Sequence, residues 1–393
     1  MKTYLISAVL FLLAYLPVSG QSFSIGHRAI STTDPARSRT ITLEVYYPAD
    51  VAGDLVPFTQ QPVTAPILVF GHGFVMSWDA YANLWQSLVP HGYLMAFVTT
   101  ETGFSPDHLA FGKDLAFTVG YLQSLANDPS DVFYQRLDSA SAVMGHSMGG
   151  GSAFLAVGFN PSIRAIATLA AAETNPSAIA AASAISLPAL VLAGGNDCVT
   201  PPPQHQIPMY NALTSACKTY VSINGASHCQ MANSNFYCSF GESTCTPAPA
   251  ISRTAQHQII DTYLIPWLDF QLRNDCLAGA DFDNSVNTNP AITYQRTCQL
   301  CTGTGSQDLS AATDLRVFNQ SESGELRFEW DKSPFKAITF TDMVGRKVFS
   351  LPLSMDQHSL SVTTAEWAAG IYRFGMELPD GTSVSRKILV HSR

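Results

Sequence analysis

Short apolar runs of β type alternate with longer helical segments between residues 40 and 272. The runs that predict strands lie at 40–47, 67–71, 94–99, 140–145, 165–169, 189–193 and 219–223. The segments that predict helices lie at 109–126, 149–157, 205–213 and 255–272. All but the first run are apolar almost throughout, as strands buried on both faces are, and intervening helices connect parallel neighbours. The pattern therefore predicts an α/β fold, a mostly parallel sheet with helices on both faces.

The chain changes character near residue 302. Residues 302–313 are mostly small and polar and include Gly303 and Gly305, as is typical of linkers. Beyond them, turn signals separate short strand-like runs at 326–330, 337–341, 371–377 and 388–390. This spacing predicts a small β-sandwich. The expected organisation is an α/β domain at 21–301, a linker at 302–313 and a sandwich domain at 314–393.

The first 20 residues have the form of a secretory signal peptide. Lys2 supplies a positive charge, residues 4–16 are mostly apolar, and Val18-Ser19-Gly20 offers small residues for cleavage. The apolar segment is shorter than the ~20 residues that span a bilayer, which makes a membrane anchor the less favoured alternative. No later apolar stretch reaches that length, so we expect an exported protein, secreted or at the cell surface, without a stable membrane span.

Charge and cysteine content narrow the partners of this chain of 393 residues. Its formal net charge is −9 and it has no long basic run, which argues against nucleic acid or an anionic membrane as a partner. All 8 cysteines lie between Cys198 and Cys301, and an even number in an exported chain predicts disulfides. Cys298 and Cys301 could form half of a zinc site, but no second pair with nearby histidine accompanies them. We expect no metal and no cofactor.

A serine with a distinctive setting lies in the middle of the α/β pattern. Ser147 stands in Gly145-His146-Ser147-Met148-Gly149, directly after a predicted buried strand and before a run of small residues. A nucleophile elbow needs this setting, because its serine sits on a strained strand-to-helix turn with little room for flanking side chains. The pentapeptide alone is common, and its place between a strand and a helix makes Ser147 the candidate nucleophile.

The two residues that would activate Ser147 are expected downstream, at the ends of later strands. Asp197 and His228 each follow one of the last two predicted buried strands, which assigns both to the same edge of the sheet as Ser147. His228 would take the serine proton, and Asp197 would orient the imidazole and stabilise its charged form. Glu173, which follows the preceding strand, is the remaining competitor for the acid role.

Two backbone N–H groups would stabilise a developing oxyanion. One belongs to Met148, directly after the nucleophile. The other belongs to Phe74, in the loop His72-Gly73-Phe74 that follows the second predicted strand. The glycine permits the backbone turn that aims the Phe74 amide inward, and the histidine is expected to brace the loop.

Apolar side chains near these groups predict a pocket for the acyl part of a substrate. Phe74 and Met148 would line it, and Trp78 and His146 are assigned to the same pocket. The competing interpretation is that such side chains only pack the core.

The assembled segments resemble a branch of the α/β-hydrolases that contains the cutinase-like polyester hydrolases, the chlorophyllases and the platelet-activating-factor acetylhydrolases. The segments that carry the resemblance are Gly71-His-Gly-Phe74, Gly145-His-Ser-Met-Gly-Gly-Gly151, Gly195-Asn-Asp197 with Pro201, Gln206-Ile-Pro-Met-Tyr-Asn211 and Gly225-Ala-Ser-His228. The resemblance implies the site roles described above. Polyester hydrolases carry a tryptophan after the strand that follows the elbow, where this chain reads Ala170-Ala-Ala-Glu-Thr-Asn175. We therefore do not expect an aromatic polyester as the substrate.

The C-terminal sandwich resembles the type A sorting domain of type IX secretion in Bacteroidetes. The resemblance rests on Asp342-Met-Val-Gly-Arg346, Ala369-Gly-Ile-Tyr372 and the basic finish Arg386-Lys-Ile-Leu-Val390. It implies that the secretion machinery uses this domain for export across the outer membrane. A sandwich that binds carbohydrate or a surface is the alternative.

Topology divides the cysteines between two edges of the sheet. Four belong to the edge of the candidate site: Cys198, Cys229, Cys238 and Cys245. Four belong to the opposite edge: Cys217, Cys276, Cys298 and Cys301. A six-residue strand spans about 20 Å, beyond disulfide reach, so the bridges should stay within each set. Cys198–Cys229 is the candidate bridge between the acid and base loops.

The sequence thus predicts a secreted serine hydrolase that cleaves a carboxylic ester through an acyl-enzyme on Ser147. The ester could belong to a small molecule, a lipid or a polyester. Acyl transfer to an alcohol by the same residues is one alternative. The other is a non-catalytic surface-binding protein with an inherited hydrolase fold, against which the intact set of Ser147, Asp197 and His228 speaks.

Overall fold

The computed structural model of this chain describes most of the α/β region and the strands of the C-terminal region. The described residues are 23–61, 63–298, 316–320, 325–330, 335–342, 347–354, 356–364, 367, 370–378 and 383–390. The predicted signal peptide at 1–20 and linker at 302–313 lie outside them. The chain divides into two compact units, Ser22–Thr302 and a smaller one that includes Gly303–Arg393.

The strands of the larger unit form one sheet. They are β1 (Ser24–Asp34), β2 (Arg39–Ala49), β3 (Gly53–Asp54), β4 (Ala65–Gly71), β5 (Leu94–Val98), β6 (Leu137–His146), β7 (Ala165–Leu169), β8 (Ala189–Gly194), β9 (Lys218–Ile223) and β10 (Ile292–Thr297). Their order across the sheet is β10-β9-β8-β7-β6-β4-β5-β2-β1-β3. The neighbours from β9 to β5 run parallel, whereas β2 beside β5, β1 beside β2 and β10 beside β9 are antiparallel. The predicted mostly parallel sheet is confirmed.

Helices occupy most of the connections between the strands. They are α1 (Ala82–Leu88), α2 (His108–Leu125), α3 (Met148–Val157), α4 (Ala178–Ala182), α5 (Gln206–Ala212), α6 (Phe236–Glu242), α7 (Arg253–Arg273) and α8 (Cys276–Thr288). The 4 predicted helices correspond to α2, α3, α5 and α7. Within the described residues, no helix combines the length and apolar character needed to cross a bilayer.

Successive side chains of the central strands enter two hydrophobic cores, one on each face of the sheet. Val69 and Val143 pack with α2, α3, α4 and α5, whereas Leu68 and Met144 pack with α1, α7 and α8. All four side chains are fully buried. Burial of such a side chain is worth about 1.5–3 kcal/mol relative to exposure. The two-sided burial explains why these strands are apolar at most positions.

The parallel strands deliver several loops to one edge of the sheet. The strands β4, β6, β7, β8 and β9 point the same way, so the loops that follow them leave from their common carboxyl edge. Ligands of open α/β sheets bind at this edge. The loops that carry Phe74, Asp197 and His228 and the turn at Ser147 begin there.

The smaller unit is built of two antiparallel sheets. Its strands are β11 (Arg316–Gln320), β12 (Glu325–Glu329), β13 (Ala337–Asp342), β14 (Lys347–Pro352), β15 (Ser359–Thr363), β16 (Gly370–Glu377) and β17 (Ser383–Val390). One sheet has the order β11-β12-β15 and the other β14-β13-β16-β17. Phe328 of the first sheet packs on Phe340 and Phe374 of the second at centroid distances of 5.8 and 4.9 Å. The expected β-sandwich is confirmed, whereas residues 343–346 and 369 of the sorting-domain resemblance lie outside the described residues.

Candidate active site

Ser147 lies on a strained turn between β6 and α3. Its φ and ψ angles are 54° and −121°, outside the regions that a residue with a side chain ordinarily occupies. Its N–H donates to the Leu169 carbonyl at 3.1 Å. Its own carbonyl accepts the N–H groups of Gly151 at 3.0 Å and Ala172 at 2.8 Å. These bonds to β7, α3 and the loop after β7 hold the turn in its strained conformation, which would not persist without such support.

Two glycines make this turn sterically possible. A Cβ at Gly145 would meet the carbonyl of Gly149, and a Cβ at Gly149 would meet the carbonyl of Gly71 at the end of β4. Both distances fall well inside 3.0 Å, closer than real Cβ atoms come to other atoms. The outer glycines of the pentapeptide therefore allow α3 to pack directly against β4 and β6.

Asp197 and His228 form a buried pair on the loops after β8 and β9. Oδ2 of Asp197 lies 2.8 Å from Nδ1 of His228. Oδ1 of Asp197 accepts the backbone N–H groups of Val199 at 2.9 Å and Thr200 at 2.8 Å. The side chains of both members of the pair are at most 2% exposed. The carboxylate is thus fixed on one oxygen by main-chain donors and presents the other to the imidazole.

Thr200 is a member of this cluster that the sequence did not reveal. Its Oγ1 lies 2.9 Å from Oδ2 of Asp197 and 3.0 Å from Nδ1 of His228. Gln206 at the start of α5 donates from Nε2 to Thr200 Oγ1 at 3.1 Å and to the Ala171 carbonyl at 2.6 Å. The acid loop is thereby tied to the loop after β7. A hydroxyl 3 residues after a loop carboxylate is the local signal that could have indicated it.

Glu173, the competing acid in the sequence, makes different contacts. Its Oε2 accepts the N–H of Ile179 at the start of α4 at 3.0 Å. Its own N–H donates to Nδ1 of His205 at 2.9 Å. The carboxylate that contacts His228 is that of Asp197.

Ser147 and His228 both line a cleft of about 500 Å³. The other lining residues are mostly apolar: Phe74, Val75, Met76, Phe104, Val199, Phe236, Tyr237, Cys238, Phe240 and Gly241. The candidate nucleophile therefore lines a cleft whose surface suits an apolar ligand.

Of the residues predicted to form an oxyanion hole, Met148 directly follows the serine and Phe74 lines the same cleft. Met148 begins α3, so its N–H is among the first of the helix, which find no acceptor within the helix. Phe74 lies in the cleft wall and is 45% exposed. The N–H of Gly73 donates to Oη of Tyr81 at 2.8 Å, and both ring nitrogens of His72 lie 2.8 Å from main-chain carbonyls. The loop that carries Phe74 is thus braced, as expected for His72.

Three pocket assignments were wrong. The side chain of Met148 is buried in the core on the α2–α5 face and does not line the cleft. Trp78 packs against Tyr46 and Trp85 at centroid distances of 5.9 and 5.6 Å, in an aromatic cluster away from the cleft lining. His146 is fully buried and also absent from the lining, because strand alternation turns it away from its neighbour.

His146 instead connects two loops of the site. Oη of Tyr81 lies 2.9 Å from its Nδ1, and its Nε2 lies 3.2 Å from the carbonyl of His228. The carbonyl of His228 can only accept, so Nε2 carries a proton, and in the neutral ring Nδ1 accepts the hydroxyl proton of Tyr81. Burial, and next the proximity of His228, hold the pKa of His146 well below its ordinary value. The bond chain Gly73–Tyr81–His146–His228 joins the predicted oxyanion loop to the base loop.

This buried neutral histidine should make the larger unit less stable in mild acid. The unfolded chain takes up a proton on His146 below about pH 6.5, and the folded chain does not. The free energy of unfolding should then fall with decreasing pH by at most about 1.4 kcal/mol per pH unit for this residue. In urea unfolding at pH 7.5, 6.5 and 5.5, His146→Gln should show a shallower dependence than the wild type. The exposed His91 provides the control, His91→Gln, which should keep the wild-type slope; a wild-type slope in His146→Gln would contradict the assignment.

The disulfides follow the predicted division between the two edges. The described bridges are Cys198–Cys245, Cys229–Cys238 and Cys217–Cys298, each within one of the two predicted sets. The candidate bridge Cys198–Cys229 was wrong, because each of these cysteines bonds to the segment around α6 instead. Cys276 is also disulfide-bonded, and Cys301 lies outside the described residues. Among the described residues, no cluster of three or more His, Cys, Asp or Glu side chains is arranged to hold a metal ion.

A mostly parallel sheet covered by helices, with a serine on the strained turn between a strand and the next helix, defines an α/β-hydrolase. Residues 16–243, more than half of the chain, match the PETase family, described as PET hydrolase-like. The chain belongs to this family, which confirms the resemblance to the cutinase-like polyester hydrolases.

Curated relatives agree with the family assignment. The chain is 28% identical over 179 residues to Cutinase 2 of Thermobifida cellulosilytica, which covers 45% of this chain and 65% of the relative. It is 28% identical over 179 residues to Cutinase cut1 of Thermobifida fusca, covering 45% and 53%. It is 28% identical over 193 residues to a bis(hydroxyethyl) terephthalate hydrolase of Streptomyces coelicolor, covering 49% and 56%. The matches thus span between about half and two thirds of the length of these relatives.

Proposed function

We propose that this protein is a serine carboxyl-ester hydrolase that works through an acyl-enzyme on Ser147. The observation that carries the proposal is the buried contact of 2.8 Å between Asp197 and His228, at the edge of the cleft that Ser147 also lines. Further support comes from the strained backbone of Ser147 and from the family. An acid, an imidazole and a serine that reaches the cleft are the groups that acyl transfer requires.

His228 would act as the general base. Because Asp197 Oδ2 accepts the proton on Nδ1, Nε2 keeps a lone pair. It takes the proton of Ser147 as Oγ attacks the ester carbonyl carbon, and Asp197 stabilises the resulting imidazolium. Imidazolium then gives the proton to the departing alcohol oxygen as the carbon–oxygen bond breaks. Water repeats the sequence on the acyl-enzyme and releases the carboxylic acid and the free serine.

The oxyanion formed in both steps would be bound by the N–H groups of Met148 and Phe74. The first lies at the positive end of the α3 dipole, which favours negative charge. The second, the N–H of Phe74, belongs to the loop that the hydrogen bonds of His72 and Gly73 brace. Donors fixed before the reaction stabilise the transition state without reorganisation, and loss of one such donor costs about 10²–10³-fold in kcat.

The proposed substrates are neutral carboxylic esters with an apolar portion. The largely apolar cleft lining supports this, as do relatives named as cutinases and as a bis(hydroxyethyl) terephthalate hydrolase. No aromatic residue occurs at 170–175, so hydrolysis of aromatic polyester is not part of the proposal.

We also propose that the protein acts outside the cell and that the C-terminal sandwich serves secretion. The described disulfides fit an oxidising compartment. The sorting-domain role rests on the sequence resemblance at 342–346, 369–372 and 386–390.

A fluorophosphonate probe tests the proposed nucleophile directly, because only an activated serine reacts with it. The full chain should take up one equivalent of probe at Ser147, and Ser147→Ala should take up none. Ser152→Ala is the matched control, because Ser152 is fully buried one turn further along α3, and it should react like the wild type. Reaction at another serine would refute the assignment of Ser147. A folded wild-type chain that does not react at all would refute the proposal and favour a non-catalytic binding protein.

A further inference from the structure

Helix α6 presents unusual side chains to the solvent. None of its side chains is buried. Phe236, Tyr237 and Phe240 are 77%, 50% and 74% exposed, and Phe104 on the loop before α2 is 75% exposed. Large aromatic side chains are unfavourable in water, so a contiguous group of them marks a binding surface.

These side chains form a continuous strip. The ring centroids of Phe104 and Tyr237 are 6.1 Å apart, those of Phe236 and Tyr237 5.6 Å, and those of Phe236 and Phe240 6.5 Å. Phe104 also lies 6.3 Å from Phe74. All of them line the cleft that contains the proposed nucleophile and base. We call Phe104, Phe236, Tyr237 and Phe240 the aromatic wall.

Two disulfides anchor α6, a helix without a buried side chain. Cys238 within α6 is bonded to Cys229, the residue directly after the proposed base. Cys245, shortly after α6, is bonded to Cys198, the residue directly after the proposed acid. Glu242 Oε1 also accepts the N–H of Cys229 at 3.0 Å. A helix of 7 residues is not stable alone, so these anchors fix the wall relative to the reacting groups.

The loop after β7 offers no comparable surface. Ala170 and Ala171 at its start are fully buried. The apolar surface of the cleft therefore comes from the aromatic wall, from Val199 and from residues 74–76.

We propose that the aromatic wall binds the acyl group of the substrate and selects esters with a large apolar acyl group, aromatic or long-chain, over acetate esters. The inference rests on the proposed ester-hydrolase function. A large acyl group would remove the exposed rings from water, whereas an acetyl group is too small to do so. The wall lies beside the reacting atoms and makes the same contact in the ground and transition states. The selectivity should therefore appear mainly in KM.

A series of p-nitrophenyl esters with one leaving group isolates the acyl contribution. The double variant Phe236→Ala/Phe240→Ala of the full chain should lose about tenfold or more in kcat/KM for octanoate and benzoate relative to acetate, mainly through KM. Both rings are exposed, so the fold should persist. The matched control is Phe159→Ala, which removes another exposed ring outside the cleft lining and should keep the wild-type ratio. An unchanged octanoate-to-acetate ratio in the double variant would overturn the proposal.

The anchors are tested with paired cysteine variants. Cys229→Ser/Cys238→Ser should lower the octanoate-to-acetate and benzoate-to-acetate ratios of kcat/KM in the same direction as the ring variant. Cys217→Ser/Cys298→Ser removes the bridge beside β9 and β10 and should leave both ratios at the wild-type value. Equal ratios in the two cysteine variants would show that the bridges do not position the wall.

Failure of the wall can be distinguished from failure of the enzyme proposal. Suppose that the wild-type chain hydrolyses the acetate ester and reacts with fluorophosphonate, but its acyl selectivity does not depend on the rings. This result would refute only the proposed role of the aromatic wall. A folded chain that neither hydrolyses any of the esters nor reacts with the probe would refute both the ester-hydrolase function and the role of the aromatic wall.

Discussion

Replacement of Asp197 with asparagine is expected to lower kcat for p-nitrophenyl acetate by about 10⁴-fold. Oδ1 of Asp197 accepts two backbone N–H groups, so the asparagine must place its carbonyl oxygen there. Its NH₂ group would then face Nδ1 of His228. Two donors cannot bond to each other, and the imidazole would adopt the tautomer with its proton on Nε2. That tautomer has no lone pair for the proton of Ser147.

The comparison with Glu173→Gln assigns the acid role. Glutamine can still accept the N–H of Ile179, so this variant should retain kcat within about threefold. Steady-state kinetics at pH 7.5, with urea unfolding to verify the fold, measures both variants. A loss of less than tenfold in Asp197→Asn, or a comparable loss in Glu173→Gln, would contradict the proposed roles.

Substitution of Gly149 by alanine should disrupt the turn at Ser147 as a whole. The new Cβ would press on the carbonyl of Gly71, where main chain meets main chain and no side chain can move aside. We expect a loss of about 3 kcal/mol or more in the free energy of unfolding. Displacement of the serine by even 1 Å should lower kcat at least about 100-fold. Urea unfolding and the rate of fluorophosphonate labelling measure the two effects.

Gly120→Ala is the control for a glycine-to-alanine change in a helix. Gly120 lies in α2, and its Cβ would first meet Nδ2 of Asn160 at an ordinary 3.5 Å. Alanine should stabilise the helix by about 0.5–1 kcal/mol and leave labelling unchanged. Gly149→Ala with wild-type stability and labelling would show that the close approach of α3 to β4 is not required.

The central strands could be predicted from the sequence because burial on both faces makes most of their residues apolar. The edge strands could not. Most side chains of β10 (Ile292–Thr297) are exposed, and most of those of β1 are at least partly exposed. Polar residues are therefore tolerated in both strands. The signal for α8 was present, since Ala278, Phe282 and Val286 are buried at a spacing of 4 residues. Its small and polar neighbours obscured that signal.

The candidate site was predictable as far as chain order determines it. Strand ends place Ser147, Asp197 and His228 at one edge, and the structure brings the last two into contact. The hydrogen bond between Tyr81 and His146 was not predictable, because the two residues are 65 positions apart in the sequence. The direction of side chains was also not predictable. Because His146 is adjacent to Ser147, it was assigned to the pocket, but the alternation of side chains along β6 turns it away from the cleft. The aromatic rings of α6 followed no periodic pattern, because none of the side chains of this helix is buried.

The Cys217–Cys298 bridge determines how the larger unit bears mechanical load. Cys217 stands directly before β9, and Cys298 directly follows β10, the strand with which β9 pairs. A pull applied from the C-terminal side therefore passes through the covalent bridge to Cys217. It bypasses the loop between the two cysteines, which are 81 positions apart in the sequence. That loop contains His228 and the whole of α6. Under such a pull this segment would stay unloaded, even while the flanking chain is stretched.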